Sequence, residues 1–565
     1  MEPASLALAV VSVVEICFKY GNKLSILCRQ YRTLDTELEE ILLTIQASWL
    51  KMDVQLKSLK ALCHSLDSPL LILYHDALTR LQEKLGKASE CFQVLQARAG
   101  IAFKVHQKLK VVYLRRELAQ TVSDLEKWQR RFDPSWYLIT RMAGTDVDRQ
   151  LANANSRSGE SASTSISPPM RLARMRESIQ QISSSQNTTN LSRSIFKDSE
   201  IVGGQIERIE GTDAFLSKYR NTTRRILLDP ANVPLVGQPG TLQTLTPTTT
   251  PAAAAATARA NARDLANLLQ HIDPTTFNLL RCNGVIEMPT TDGTKDQEPG
   301  LGSQSRFYLL FEVPDNLSAP QPLRTLLKDT PRCSLTQRIQ LAKQLARSVM
   351  FVHAAGFVHK NIRPETVLVF REGNDEKDAS DRVDHSIGPS FLIGFEKIRK
   401  AEGRTDKFGD LDWARNLYRH PSRQGLHPED IFEMRHDIYS LGVCLLEIAL
   451  WQSFVEVELD LENREPPLFI PWSGLEVSTA LAGNEKDQRL GAFAIKDRLV
   501  ALCKEVLPSL VGEKYSAVTI ACLCCLDASE DNPFSDDKSL QGKDGIMVGV
   551  RYIENVLLKL EELVI

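Results

Sequence analysis

Along the first 130 residues, apolar positions recur at spacings of three and four. Leu34, Leu38, Ile41, Leu42, Ile45 and Trp49 share one helical face, while Asp35, Glu37, Glu39 and Glu40 lie off it. After the break at Asp67-Ser68-Pro69 the pattern returns as Leu71, Tyr74, Leu78, Leu81 and Leu85. A third run, Val105 to Trp128, carries Leu109, Val112, Leu118, Val122 and Leu125. Such one-sided faces are best buried against one another, which predicts an all-α helical bundle. Ahead of them Ala4 to Val14 is almost wholly apolar. With twelve residues between Glu2 and Glu15, it is shorter than the roughly twenty that a simple bilayer-spanning helix needs. No basic residue precedes it, so it does not read as a secretory signal. It is either a core helix or a helix able to leave its bundle for a membrane, with Leu6, Leu8, Val10, Val11, Val13 and Val14 as the candidate membrane-active residues.

The texture then changes. Between Leu151 and Ile195 there are twelve serines in forty-five residues, a composition that cannot repay the ordering of a core. This reads as a linker, with one short brace-like helix over Met170 to Ile182. A second low-complexity stretch, Thr241 to Ala260, joins a Thr-Pro run to five alanines. Around it, Arg225 to Leu228 and Phe307 to Val313 read as strands, Ala262 to Leu269 as a helix, and Ser334 to Ala355 as a long helix with Leu341, Leu345, Val349 and Val352 inward. Strands and helices in this order predict an α+β domain. The domain expectation is therefore a bundle over 1–150, a linker over 151–199, and a second region over 200–565, divided near 315 and carrying a low-complexity insertion at 238–260.

Composition narrows the chemistry only a little. A chain of 565 residues with 43 % apolar and 25 % charged residues is multidomain and of ordinary soluble usage. The formal charge of −3 argues against a nucleic-acid coat. Residues 1–130 hold eighteen Lys plus Arg against fourteen Asp plus Glu, a mild attraction to anionic lipid that Lys104, Lys108, Lys110, Arg115 and Arg116 concentrate. A solvated helix face explains the same charges. The eleven cysteines show no metal or disulfide spacing, and Cys522, Cys524 and Cys525 read as buried thiols of a core helix in a reducing, intracellular protein.

The informative segment follows the long helix: Phe357-Val358-His359-Lys360-Asn361-Ile362-Arg363-Pro364-Glu365-Thr366-Val367-Leu368-Val369. It resembles the catalytic loop of protein kinases, which implies a bilobal α+β kinase-like fold over 200–565 with N- and C-lobes. His359 and Lys360 match the two leading positions. Asn361 stands where the catalytic aspartate belongs, and Thr366 where an asparagine holds metal. Twenty-eight residues beyond Thr366, Gly394-Phe395-Glu396 is similar to the metal-binding aspartate-phenylalanine-glycine triplet, with glycine in place of the aspartate. His420-Pro421-Ser422 fits the end of the activation segment. Asp437-Ile438-Tyr439-Ser440-Leu441-Gly442-Val443 fits the start of the central C-lobe helix, where Asp437 would cap the catalytic-loop backbone.

The departures all point one way. An amide at 361 has no useful basicity near neutral pH, and a threonine hydroxyl is a poor partner for a dication. Gly203-Gly204 followed by Gly211 is no glycine-rich phosphate cradle. No lysine occurs between Lys218 and Lys295, so a phosphate-pairing lysine is missing; Arg224 and Arg225 are either rescuing cations or, more simply, exposed edge residues. The resemblance thus implies a pseudokinase: no catalytic residue, cofactor or metal, and degenerate positions at His359, Lys360, Asn361, Arg363, Thr366, Gly394, Phe395 and Glu396.

The N-terminal run Pro3-Ala4-Ser5-Leu6-Ala7-Leu8 and the sequel Phe132-Asp133-Pro134-Ser135-Trp136 look like the HeLo and HeLo-like domains of fungal prion-inhibition and cell-death proteins. The order of bundle, brace-like linker and pseudokinase resembles fungal relatives of the mixed-lineage kinase domain-like necroptosis executioner. That resemblance implies a homo-oligomer, latent in the cytoplasm, released by an immune receptor or amyloid signal to disrupt the plasma membrane through anionic lipids, with no nucleic-acid partner. The opposing readings are a soluble adaptor whose bundle only oligomerises, and an atypical active kinase.

Overall fold

The computed structural model describes residues 3–31, 36–97, 106–141, 176, 195–231, 251–270, 272–289, 305–329, 333–373, 387–395, 399–400, 412–425, 428, 430–458, 468–475, 485–529, 532–535 and 546–563. Its contacts form two units. One comprises Met1–Glu177 with Gly542–Ile553; the other comprises Ser178–Gln541 with Glu554–Ile565. Most of the expected brace helix lies outside the described residues.

The first unit contains four long helices, α1 (Pro3–Tyr31), α2 (Thr36–Leu62), α3 (Ser68–Ala97) and α4 (His106–Ser135). The apolar stripes turn inward: Leu38, Leu42, Ile45 and Trp49 of α2, and Leu71, Tyr74, Leu78, Leu81 and Leu85 of α3, are buried. Gly21 lets α1 and α2 close, because a Cβ there would fall 2.2 Å from the Trp49 ring. Trp49 Nε1 donates to Asn22 Oδ1 at 3.2 Å. The end of α4 is pinned by aromatics. Phe132 stacks on Trp128 at 4.4 Å and meets Tyr74 edge-on at 5.6 Å. Tyr74 Oη donates to the Ser135 carbonyl at 3.1 Å, and Asp133 accepts from Gln55 at 2.7 Å. Arg176 donates to the Ile139 carbonyl at 2.5 Å.

Helix α1 is longer than its apolar start suggested. Among the described residues Pro3–Gln30 is one helix long and apolar enough to cross a membrane, a test that buried core helices also pass. Its candidate residues separate by face. Leu6, Val10 and Val14 are buried in the bundle, Val11 and Val13 are half-buried, and Leu8 is 63 % exposed, as is Ile26 at 55 %.

The second unit begins with a six-stranded sheet in the order β1-β5-β6-β4-β3-β2: β1 (Phe196–Lys197), β2 (Val202–Arg208), β3 (Phe215–Tyr219), β4 (Arg225–Pro230), β5 (Cys282–Pro289) and β6 (Ser305–Glu312). A helix, α5 (Pro251–Leu269), packs against β5 and β6. The alanine run expected to be low-complexity belongs to this helix, in keeping with alanine's high helix propensity. Strand alternation divides β4. Ile226 and Leu228 join Ile286 and Leu310 in one core, which leaves Leu227 and Asp229 on the opposite face, also buried.

The C-lobe is mainly helical. Strand β7 (Leu317–Pro322) leads to α6 (Leu323–Asp329) and α7 (Leu335–Ala354), the latter opened by a reciprocal Ser334–Gln337 cap. Strands β8 (Phe357–Val358), β9 (Val367–Glu372) and β10 (Ser390–Leu392) hold the loop between them, and β9 pairs antiparallel with β7 and β10. The central helix α8 (Met434–Leu450) is almost entirely buried. A Cβ at Gly442 would lie 2.8 Å from Cys522 Cβ, so this glycine permits the close approach of the helix Glu513–Leu523. Cys522 and Cys525 are buried and Cys524 half-buried, each thiol pushed up by burial. The final helix divides at a π-turn, Ile553–Leu557. Ile546–Tyr552 packs with the bundle, where Gly549 faces Leu138, whereas Glu561 accepts from Arg347 of α7.

The two faces of α1 make different demands. Val10→Asp buries an unpaired carboxylate and is expected to cost roughly 3 kcal/mol or more, whereas Leu8→Asp should change stability by less than about 0.5 kcal/mol. Helical circular dichroism followed through thermal melting of both variants checks the assignment; equal losses would contradict it.

Candidate functional site

The loop from Phe357 to Thr366 is held by a carboxylate beneath it. Asp437, fully buried in the first turn of α8, accepts from the backbone N–H of His359 at 2.7 Å and of Lys360 at 2.9 Å. His353 Nε2 stands 3.2 Å from the same carboxylate. Burial alone would raise this carboxyl, but His353 and the donated N–H hold it below the usual range. Lys360 adopts a left-handed backbone, φ 66°, at the point where the loop turns.

Above Asp437, Asn361, Arg363, Thr366 and Gly394 come together and bond one another. Asn361 Nδ2 donates to the Gly394 carbonyl at 3.2 Å, and its Oδ1 accepts from Arg363 Nε at 3.1 Å. Thr366 Oγ1 lies 2.7 Å from the Asn361 carbonyl and 2.9 Å from that of Arg363, and accepts from the Arg363 N–H at 3.2 Å. Gly394 is packed into this set at φ +83°. A Cβ there would fall 2.4 Å from Thr366 Cγ2 and 3.1 Å from Asn361 Nδ2. Phe395 is buried between Phe311 of β6 and His359, at ring distances of 5.9 and 5.0 Å. Glu396 lies outside the described residues.

A residue that the sequence reading passed over completes the site. Asp229, 1 % exposed at the end of β4, accepts from the Gly394 N–H at 3.2 and 3.0 Å and from the Phe395 N–H at 3.0 Å. The strand expected to carry a phosphate-binding cation thus presents a carboxylate to the turn. Arg224 and Arg225, the suggested substitutes, are engaged at the other end of β4. Arg224 pairs with Glu312 at 3.7 Å, and Arg225 donates to the carbonyls of Asp315 and Leu317. The signal in the sequence was an acidic residue closing an apolar run, Ile226-Leu227-Leu228-Asp229, in register with buried Leu227.

The hairpin in the place of a phosphate cradle closes on itself. Its tip is tied by Ile209 N–H to Ala214 O at 3.0 Å and by Thr212 Oγ1 to Ile209 O at 2.8 Å. A side chain at Gly211 would meet Pro322 Cγ at 3.4 Å and Thr325 Oγ1 at 3.7 Å, so the tip lies near the start of α6.

Magnesium nucleotide, which a kinase-like fold implies, does not fit these groups. The hydroxyl at 366 is committed to backbone partners, the amide at 361 to the Gly394 carbonyl and the Arg363 side chain, position 394 carries no carboxylate, and Asp229 opposes phosphate charge. Beside the loop a buried guanidinium is shared instead. Arg324 donates to Glu365 at 3.1 Å, to Ser453 Oγ at 2.8 Å and to Tyr418 Oη at 2.9 Å, and Glu447 lies 3.6 Å away. Although burial pushes the Glu365 carboxyl up, Arg324 and Arg363 bring it down to about 2. Glu447, farther from Arg324, is pushed up to about 7 by burial.

With this geometry in view, known proteins show the same likeness. A serine/threonine-protein kinase-like protein of Arabidopsis thaliana is 29 % identical over 173 residues, 31 % of this chain and 43 % of the relative. The chain carries a kinase-like domain behind an all-α helical region. The serine/threonine-protein kinase PknA of Mycobacterium tuberculosis is 33 % identical over 72 residues, 13 % of this chain and 16 % of the relative. A probable LRR receptor-like serine/threonine-protein kinase of Arabidopsis thaliana is 26 % identical over 157 residues, 27 % and 16 % of the two chains. The chain spans less than half the length of these relatives, and no family model matches it.

Two outcomes follow from the site. Gly394→Asp needs both a new side-chain volume against Thr366 and a left-handed aspartate, and should lower stability by on the order of 2 kcal/mol; chemical denaturation measures it, and an unchanged midpoint would contradict the packing. Burial holds His359 and His420 down at about 4 and His436 at about 3. Unfolding frees these rings to bind protons below their ordinary value, so their contribution is complete above pH 6.5 and is lost as pH falls toward 4. Glu447 acts in the opposite sense between pH 7 and 4.5. Three groups against one leave a net loss of stability on acidification, each fully engaged group contributing about 1.4 kcal/mol per pH unit. Denaturation at pH 7.5 and 5.5 should show the lower pH to be less stable.

Proposed function

We propose that this chain is a catalytically silent kinase-like regulator coupled to a helical effector bundle, acting by oligomerisation and membrane disruption in a fungal cell-death or incompatibility response. The observation that carries the first half is the mutual satisfaction of Asn361, Arg363, Thr366 and Gly394. A general base, a metal carboxylate and a phosphate cation are the groups on which phosphoryl transfer relies; Asn361, Thr366 and Gly394 supply neither base nor carboxylate, and the one cation among these positions, Arg363, is bonded to Asn361. The likeness to kinases therefore concerns a scaffold able to bind, brace or switch.

The membrane half rests on the resemblance of the bundle to HeLo-like domains. It is supported by α1, whose length and apolarity suit a bilayer and which exposes Leu8 and Ile26. In this reading the latent protein is cytoplasmic and the activated oligomer acts at the plasma membrane on anionic lipid, after a signal from an upstream receptor or amyloid protein. A second reading, a soluble adaptor whose bundle only oligomerises, is favoured by the burial of Leu6, Val10 and Val14 within the bundle.

Dye release from anionic vesicles separates the two. A chain ending at Glu177 should release dye more strongly than the full chain at equal concentration, and Leu8→Glu with Ile26→Glu should abolish release while helical content persists. A helical but inert short chain would favour the adaptor. Neither the full chain nor the triple variant Asn361→Asp, Thr366→Asn, Gly394→Asp should transfer labelled phosphate from magnesium ATP; transfer by the unmodified chain would overturn the silent-regulator reading.

A further inference from the structure

Two consecutive backbone N–H groups, those of Gly394 and Phe395, point at one place, and the left-handed glycine at φ +83° is what lets them converge. Such a pair is a small anion-binding concavity. Here it is filled from within the chain. Asp229 comes from the N-lobe sheet, whereas the turn follows β10 of the C-lobe, so one carboxylate joins the two lobes. The carboxylate is all but excluded from water, and a buried charge persists only where donors answer it. The Gly394 and Phe395 donors belong to the opposite lobe.

Two further features join the lobes. Phe395 inserts its ring under Phe311 of the N-lobe sheet, on the face of β6 that pairs with Leu227. At the hairpin tip, a Cβ placed on Gly211 would come to 3.4 Å from Pro322 Cγ and 3.7 Å from Thr325 Oγ1, so the tip lies near the start of α6.

We propose that Asp229 is an internal anion that holds the N-lobe sheet onto the Gly394–Phe395 turn, so that closure of the cleft is built into the chain and needs no nucleotide. This deepens the reading of the domain as a non-transferring scaffold: a signal that opens it has to break or bypass this contact, and phosphate-bearing ligands meet a site already occupied by negative charge.

Hydrogen exchange of the full-length protein, read at Gly394 and Phe395, tests the proposal. Asp229→Ala should speed exchange of both amides at least tenfold and lower the melting temperature of the kinase-like unit by about 5 °C, with exchange in α1–α4 unchanged. Asp229→Asn keeps the shape and one acceptor oxygen, and should fall between wild type and the alanine variant. Unchanged exchange at both amides in the asparagine variant, or in a folded alanine variant, would overturn the proposal. If the alanine variant does not fold, the asparagine variant alone decides, acceleration supporting the contact. Magnesium ATP added to wild type should leave both amides as they were. A rise in their protection would contradict ligand-independent closure, and because it is read on wild type alone it is distinguishable from a failure of the Asp229 contact itself.

Discussion

The kinase-like frame depends on one buried carboxylate. Asp437 accepts from His359 N–H, Lys360 N–H and the His353 ring, and so fixes the direction of the loop that runs to Thr366. Each of these partners is backbone or buried imidazole, so the constraint is indifferent to what side chain stands at 361 or 366. A fold can keep this bond and exchange its chemistry. That separation explains why the frame residues match kinases closely while Asn361, Thr366 and Gly394 do not.

The exchanged positions form a consistent set. A small residue at 394 leaves room for Thr366 against it, and the threonine hydroxyl in turn binds the loop carbonyls. Asn361 spans from Arg363 to the Gly394 carbonyl, a contact that needs a donor and an acceptor on one side chain. A carboxylate at 361 would lose the donated bond and face that carbonyl. On the other side, the turn's N–H groups are taken by Asp229. Reverting one position therefore disturbs its neighbours, which is the behaviour of a packed network.

Much of the bundle was legible in the sequence because α2 and α3 bury one face each, and Leu38, Leu42, Ile45 and Trp49 or Leu71, Tyr74, Leu78 and Leu81 repeat at the helical period. Helix α1 was less so: its first three turns are apolar all round, which hides which side is buried, and Leu8 and Val10 differ only by where α2 and α3 stand. The alanines before Arg259 looked like spacer because they carry no pattern, yet they belong to a helix. The loop motif around Asn361 was readable from its resemblance to the kinase catalytic loop. Asp229 was not, since its partners are backbone N–H groups 165 and 166 residues away that leave no trace in side-chain identity. The grouping of Ile546–Ile553 with the bundle unit was hidden because it follows from tertiary packing, which an apolar period does not encode.

The central claim is that Asn361, Arg363, Thr366 and Gly394 bond one another and that Asp229 occupies the Gly394–Phe395 N–H pair, leaving no place there for phosphate. A crystal structure of the full chain grown with magnesium and a non-hydrolysable ATP analogue tests it most directly. The account predicts a cleft free of nucleotide, with Asp229 still bonded to the Gly394 and Phe395 N–H groups; a triphosphate seated at that turn, with Asp229 displaced, would contradict it.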